Sequence, residues 1–172
     1  LLVIFSLLVT FTGYVIIRSD LTETIERQSV QYLNLELSQL QFLLEPMLTN
    51  ENMHAISSLH SFKASELDNK AILITSEKGI VLASVYQQEL FTPWQQSRLA
   101  IDPALAEKAM DTGQSYTEFS ADRKHLNGYI DLCVRDLSKG LRHSSCGFLY
   151  YQRDVDYRQE QASAWLKKQS LY

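Results

Sequence analysis

Two cysteines, a carboxylate set among aromatic residues and four histidines are the parts of this sequence whose chemistry could go beyond packing. If Lys139-Gly140 forms a two-residue hairpin turn, antiparallel pairing sets Cys133 directly opposite Cys146, within the Cα range that a disulfide accepts. Such a bond closes a loop of about 14 residues, worth roughly 3 kcal/mol in the chain-entropy account, and it persists in an oxidising space such as the periplasm. The alternative is two reduced core cysteines that never meet, which an irregular stretch over residues 138–145 would produce by shifting the register.

The same register sets Tyr129 opposite Tyr150 and Asp131 opposite Phe148, all on one side of a sheet. The other side carries Ile130, Leu132, Val134 and Leu149, an aliphatic surface suited to a helix. Trp94, Tyr116 and Arg123 lie on segments expected to cover the aromatic side. A carboxylate among rings suits a cationic or amine-bearing ligand through charge pairing and cation–π contact. The plainer reading is that Asp131 pairs with Arg135 or solvent and the rings fill core. The histidines form no ligand set: His54 and His60, six apart, fall on different faces of one helix, while His125, His143 and Asp122 could approach each other only across adjacent loops. No nucleophile elbow, phosphate loop, zinc-helix motif or paired CxxC is present. No catalysis is expected from this segment, nor a cofactor, nor a bound metal.

These residues have to be positioned by a chain of 172 residues with a net charge of −4 and 45% hydrophobic content. That is the size and composition of one globular domain with appendages. Positive charge is scattered rather than gathered in a stripe, so nucleic acid is not an expected partner. Residues 1–17 (LLVIFSLLVTFTGYVII) carry no charge, which reads as an uncleaved transmembrane anchor at the short end of the range, with part of its start missing. Tyr14 to Arg18 offers no small-residue cleavage site of the kind a signal peptide needs.

Residues 20–45 follow a helical period, with Val30, Leu33, Leu37, Leu40, Leu44 and Met47 forming one apolar seam. Pro46 should stop or kink that helix. The seam can pack on the protein's own sheet or against a second copy in a parallel stalk. A further amphipathic stretch (Met53, Ile56, Leu59, Phe62) runs to about residue 67. The period then becomes strand-like over residues 71–76 and 80–85, joined by a turn at Glu77-Lys78-Gly79. Asp102 as N-cap and Pro103 at the first helical position open a short helix that Gly113 closes. Strands are expected over 115–120, 128–137 and 147–153, and a final helix from 155 to about 170. The fold class is α+β: an antiparallel five-stranded sheet, a long N-terminal helix, a C-terminal exit helix, and a transmembrane helix in front. The chain divides into 1–17 (anchor), 18–67 (juxtamembrane helices), 68–153 (sheet domain) and 154–172 (exit helix).

This order, with the paired strands of ILITSEKGIVLAS and the closing GFLYYQRDVDY, resembles a single Cache domain. Cache domains are the PAS-like extracytoplasmic sensors of bacterial chemoreceptors, histidine kinases and cyclic-di-GMP enzymes. Glu77-Lys78-Gly79-Ile80-Val81 resembles the family's D-x-x-G-x-hydrophobic turn, with Glu in place of Asp. The resemblance implies a periplasmic sensor held in the inner membrane, a homodimer through the juxtamembrane helix, and a cytoplasmic output. A diguanylate cyclase (GGDEF) is the first expectation for that output, a histidine kinase or chemoreceptor the second. The aromatic, Arg and Asp set of amino-acid-binding double Cache sensors is not found, so the resemblance gives no ligand. Alternatives of another class are a membrane-anchored interaction protein and a partner-regulated module with no small-molecule ligand. Trp165, Lys167 and Lys168 would suit the return of the exit helix to a membrane surface.

Overall fold

The computed structural model describes residues 2–48, 71–135 and 144–155. The second amphipathic stretch, the Lys139-Gly140 turn, the exit helix, and His54, His60 and His143 lie outside them. By contact density the chain forms two compact units, Leu1–Gln31 with Val155–Tyr172, and Tyr32–Asp154. Helix α1 runs as one element over Leu2–Leu44. The apolar run and the leucine seam are thus one helix: Arg18, Ser19 and Asp20 continue it, since none of them is a helix breaker. Pro46, which lacks a backbone N–H, lies in the 3-10 turn Glu45–Leu48 that ends it. In the first unit Val9, Phe11, Tyr14, Val15, Ile16 and Ile17 are exposed, while Ile25 and Ser29 are buried. Among the described residues no helix is long and apolar enough to cross a membrane.

The second unit is α+β. Strands β1 (Ile72–Thr75), β2 (Val81–Ser84), β3 (Tyr116–Phe119), β4 (His125–Arg135) and β5 (Ser144–Asp154) form an antiparallel sheet in the order β2-β1-β5-β4-β3. Helix α2 (Pro103–Thr112) separates β2 from β3. The five strands and α2 lie close to their sequence-based spans, with β4 and β5 each beginning three residues earlier, so His125 is a strand residue rather than a loop residue. It pairs with Asp154 in the ladder, and its Nδ1 lies 2.6 Å from Asp154 Oδ1.

Alternation along the strands makes two different faces. One carries Ile72, Ile74, Leu126, Ile130, Leu132, Leu149 and Tyr151, all buried. Gly128 leaves a notch on this face: a Cβ there would lie 2.7 Å from Leu37 Cδ1 and 3.0 Å from Leu33 Cδ2. Leu33 and Leu37 are fully buried, so from Leu33 onward the apolar seam of α1 packs on this protein's own sheet. The opposite face builds a core from Leu73, Val81, Trp94, Tyr129, Phe148 and Tyr150, with Ala106 and Ala109 of α2. Two small residues on α2 let its backbone approach these rings closely. Asp102 Oδ1 accepts from Ala104 N at 2.8 Å, and Gly113 ends the helix in a left-handed conformation at φ 65°.

Candidate functional site at the aromatic face

The β4–β5 register sets Tyr129 against Tyr150, Asp131 against Phe148 and Cys133 against Cys146. The two cysteines form a disulfide with a Cα–Cα separation of 4.0 Å. Phe148 and Trp94 meet edge to face, ring centroids 5.2 Å apart, and Tyr129 and Tyr150 are tilted neighbours at 5.4 Å. Tyr116, half-buried at the edge of this core, has its hydroxyl 3.1 Å from Thr112 Oγ1 and the Lys108 ammonium over its ring.

Arg123 does not join them. It is exposed in the turn before β4, with its guanidinium 5.0 Å from the Phe119 ring centroid. Phe119 pairs with Leu126, whereas Tyr116 pairs with Tyr129. A strand alternates its side chains, so three residues of separation put Phe119, and Arg123 with it, on the aliphatic side. The left-handed backbone of Arg123 (φ 54°) turns the chain tightly there.

The tyrosine hydroxyls sit in a closed polar chain. Tyr129 OH accepts from Asp102 N and donates to Glu118 Oε1, both at 2.9 Å. Asn127 Nδ2 donates to the same Glu118 oxygen at 3.5 Å. Tyr150 OH and Gln152 Nε2 both donate to Asn127 Oδ1, at 3.1 and 3.0 Å. Burial pushes the Tyr129 hydroxyl far above the usual range and Tyr150 up to about 12, with the Glu118 charge adding to both. Both therefore stay protonated donors at physiological pH. Tyr129→Phe removes the partner of Asp102 N and a donor to Glu118 while keeping the ring. A loss of about 1–3 kcal/mol is expected, read as a lower urea midpoint at unchanged slope; an unchanged midpoint would contradict this account of the network.

Asp131 is only 7% exposed. Its Oδ1 accepts from Gln41 Nε2 at 2.9 Å, and the same amide donates to Asp131 O at 3.0 Å. Oδ2 lies 3.0 Å from Cys133 Sγ. Strand β3 ends before this point, so Asp131 O and Cys133 N lie on a stretch of β4 edge without a strand partner. Gln41 and Glu45, one helical turn apart, serve that edge: Glu45 Oε1 accepts from Cys133 N at 3.4 Å. Burial raises the Asp131 carboxyl above its ordinary value of 3.8, and the amide of Gln41 only partly opposes it.

The folded state accordingly holds a proton at Asp131 over a window that opens near 3.8 and closes above the raised folded value. Stability from this group is complete below the window and is lost as pH rises through it. Asp131→Asn should remove that fall, so the wild-type-minus-variant difference in Tm should shrink from about pH 4 to pH 7. A difference that does not vary with pH would refute it.

Asp131, Cys133 and Cys146 bring their ligand-type atoms within 4.8 Å of one another. A disulfide has no thiolate to offer a metal, so the arrangement is a carboxyl against an oxidised sulfur pair. Sequence reasoning missed Gln41, Glu45, Glu118 and Asn127. It also missed Glu89, a buried carboxylate that accepts from Ser84 Oγ, Ser97 Oγ and Arg98 N at 3.0, 2.8 and 2.8 Å and so organises the loop carrying Trp94. Glu118 could have been found from the spacing of Tyr116 and Glu118, which share a face once β3 is paired with β4. Nothing in the sequence signals Gln41. A scan against protein-family models finds no match to the chain, and a search of curated proteins finds no significant relative.

Proposed function

We propose that this chain is the extracytoplasmic sensor module of a bacterial transmembrane signalling protein, a single PAS-like Cache domain held in the inner membrane with its sheet in the periplasm. The observation that carries the reading is α1. Its early turns expose Val9, Phe11, Tyr14, Val15, Ile16 and Ile17, an apolar surface that water does not favour and lipid does. Later turns of the same helix put Leu33 and Leu37 into the notch at Gly128. A helix that is lipid-facing at one end and core-facing at the other is suited to carry a packing change in the sheet towards a membrane. The five-stranded antiparallel sheet is compatible with PAS-like architecture, and the cross-strand disulfide suits an oxidising compartment.

The ligand proposed for the aromatic face is small and cationic or amine-bearing. Because Tyr129, Phe148 and Tyr150 are closed into the core, it would meet them, with Trp94, Tyr116 and the carboxyls of Asp131 and Glu118, only in an opened packing of this face. It would act by favouring one packing of sheet and helix, and the output would be a diguanylate cyclase, with a histidine kinase or chemoreceptor as the alternative. A second reading is favoured by Tyr32, Leu35, Phe42 and Leu43, which are 52–78% exposed on α1. This outward surface suits a second copy of the chain, giving the proposed homodimer, or another envelope protein in a module without a small-molecule ligand.

The test is a thermal-shift screen of the full chain in lipid nanodiscs against amino acids, amines and carboxylates. A hundredfold excess over Kd stabilises the folded state by about 2.7 kcal/mol. A shift with an amine that Asp131→Ala abolishes supports the ligand reading. Silence across the panel transfers the proposal to a protein partner. Release of the full chain from membranes by alkaline carbonate would overturn the anchor.

A further inference from the structure

We propose that the Cys133–Cys146 disulfide is a thiol–disulfide exchange site for a small dithiol, with Asp131 as the acid that protonates the leaving Cys133 sulfur. This does not rest on the sensor reading. Three observations carry it. The two cysteines are half-buried, so the S–S bond is neither sealed in the core nor fully open. Asp131 Oδ2 lies 3.0 Å from Cys133 Sγ; a disulfide sulfur has no hydrogen, so a hydrogen bond across that contact forms only when the carboxyl is protonated. Finally, Gln41 Nε2 fixes the carboxyl by donating to both Oδ1 and the Asp131 carbonyl, which occupies Oδ1 and leaves Oδ2 as the oxygen that faces the sulfur and can carry the proton. Among the described residues, α1 faces Asp131 with neutral Gln41, α2 with its capping Gly113, β5 with Phe148, and the 3-10 turn with Glu45 at Cys133 N. Of these described groups only Glu45 titrates.

The direction of attack follows from where the acid sits. A thiolate of the dithiol attacks Cys146 Sγ; the S–S bond breaks, and its electron pair goes to Cys133 Sγ. Cys133 Sγ takes the proton of Asp131 Oδ2, leaving a carboxylate that Gln41 still holds. The second thiol of the reductant then attacks its own sulfur in the mixed disulfide and releases Cys146. The dithiol becomes a cyclic disulfide, losing two electrons, and the protein gains two thiols. The proton shed when the attacking thiol ionised restores Asp131. In the reverse direction the carboxylate is the base that takes the Cys133 proton.

Since these are the chain's two cysteines, every free thiol reports this bond. The full chain is reduced with excess dithiothreitol at a series of pH values, and new thiols are counted by maleimide mass-tagging. The reagent's thiolate alone makes the rate fall tenfold for each unit of pH below its pKa. In the wild-type chain the growing protonated fraction of Asp131 offsets that fall, so the rate should drop less than about threefold per unit between pH 8 and 6. Asp131→Asn keeps shape and hydrogen bonding but has no proton to give. It should follow the full tenfold slope and be at least about tenfold slower than wild type at pH 6. Gln41→Ala loosens the strand edge yet keeps the acid, and should retain the shallow slope. Parallel tenfold slopes in wild type and Asp131→Asn overturn the proposal, as does a full slope in Gln41→Ala. If Asp131→Asn does not fold, the wild-type slope decides alone: tenfold per unit overturns the assignment, and a shallow profile upholds it.

Discussion

Replacing Phe148 with alanine is expected to cost about 3–5 kcal/mol, the range for truncating a fully buried aromatic ring. The ring is inaccessible to solvent, stands edge-on to Trp94, and lies at the centre of the core between the sheet and α2. Its neighbours have little freedom to close the gap. Trp94 is held through its backbone to Gly79 O at 3.0 Å, and α2 is capped at both ends. For a chain of this size the loss corresponds to a fall in Tm on the order of 10 °C. A fall below about 3 °C would mean that the loop bearing Trp94 collapses into the space, and that this core is more plastic than its burial implies.

One residue earlier the strand presents a different constraint. A Cβ on Gly147 would lie 2.1 Å from Thr75 O and 2.7 Å from Thr75 C, and a main chain cannot rotate away as a side chain can. The approach is close because β1 and β5 change their mode of pairing here. The ladder runs from Ile72↔Tyr151 to Ile74↔Leu149, and then Thr75 Oγ1 takes over, accepting from Phe148 N at 2.9 Å. Gly147→Ala must push β1 off β5 or break that bond. It should cost about 3 kcal/mol, the upper part of the overpacking range, read as a drop in Tm of roughly 6–12 °C. A folded variant with an unshifted Tm would refute the close approach. The two changes should be close to additive only if the losses at Phe148 and at Thr75 are independent, and since Thr75 bonds to Phe148 itself, coupling is expected.

Much of the frame was legible because it depends on local rules. The caps of α2 at Asp102 and Gly113 are side-chain and backbone preferences of single residues, and they hold as read. The long helix was legible from the spacing of its leucines and from the apolar run that leads into it, since polar residues at 18–20 do not break a helix. The pairing of Cys133 with Cys146 followed from counting outward from a turn, because strand alternation leaves no freedom once one pair is given. The same count set Tyr129, Asp131, Phe148 and Tyr150 on one face.

What the sequence determined by itself is therefore this one-dimensional order: which segments are helix or strand, which residues share a face, and which two sulfurs meet. What tertiary structure decided is the state of the groups on those faces. Asp131 is legible in the sequence as a carboxylate among rings, but its burial beneath an amide from Gln41, 90 residues away in the chain, is not. Its raised pKa comes from desolvation, which depends on everything packed around it and on no residue beside it in sequence. Arg123 looked like a lid for the aromatic face and went to the other, because the phase of β3 against β4 selects the side and the turn residues carry no record of that phase. Gly147 and Gly128 look alike in the sequence; one admits the backbone of β1 and the other the leucines of α1. Periodicity is a property of the backbone, so it can be read locally, whereas burial, protonation and close approach are properties of neighbours that only the folded chain supplies.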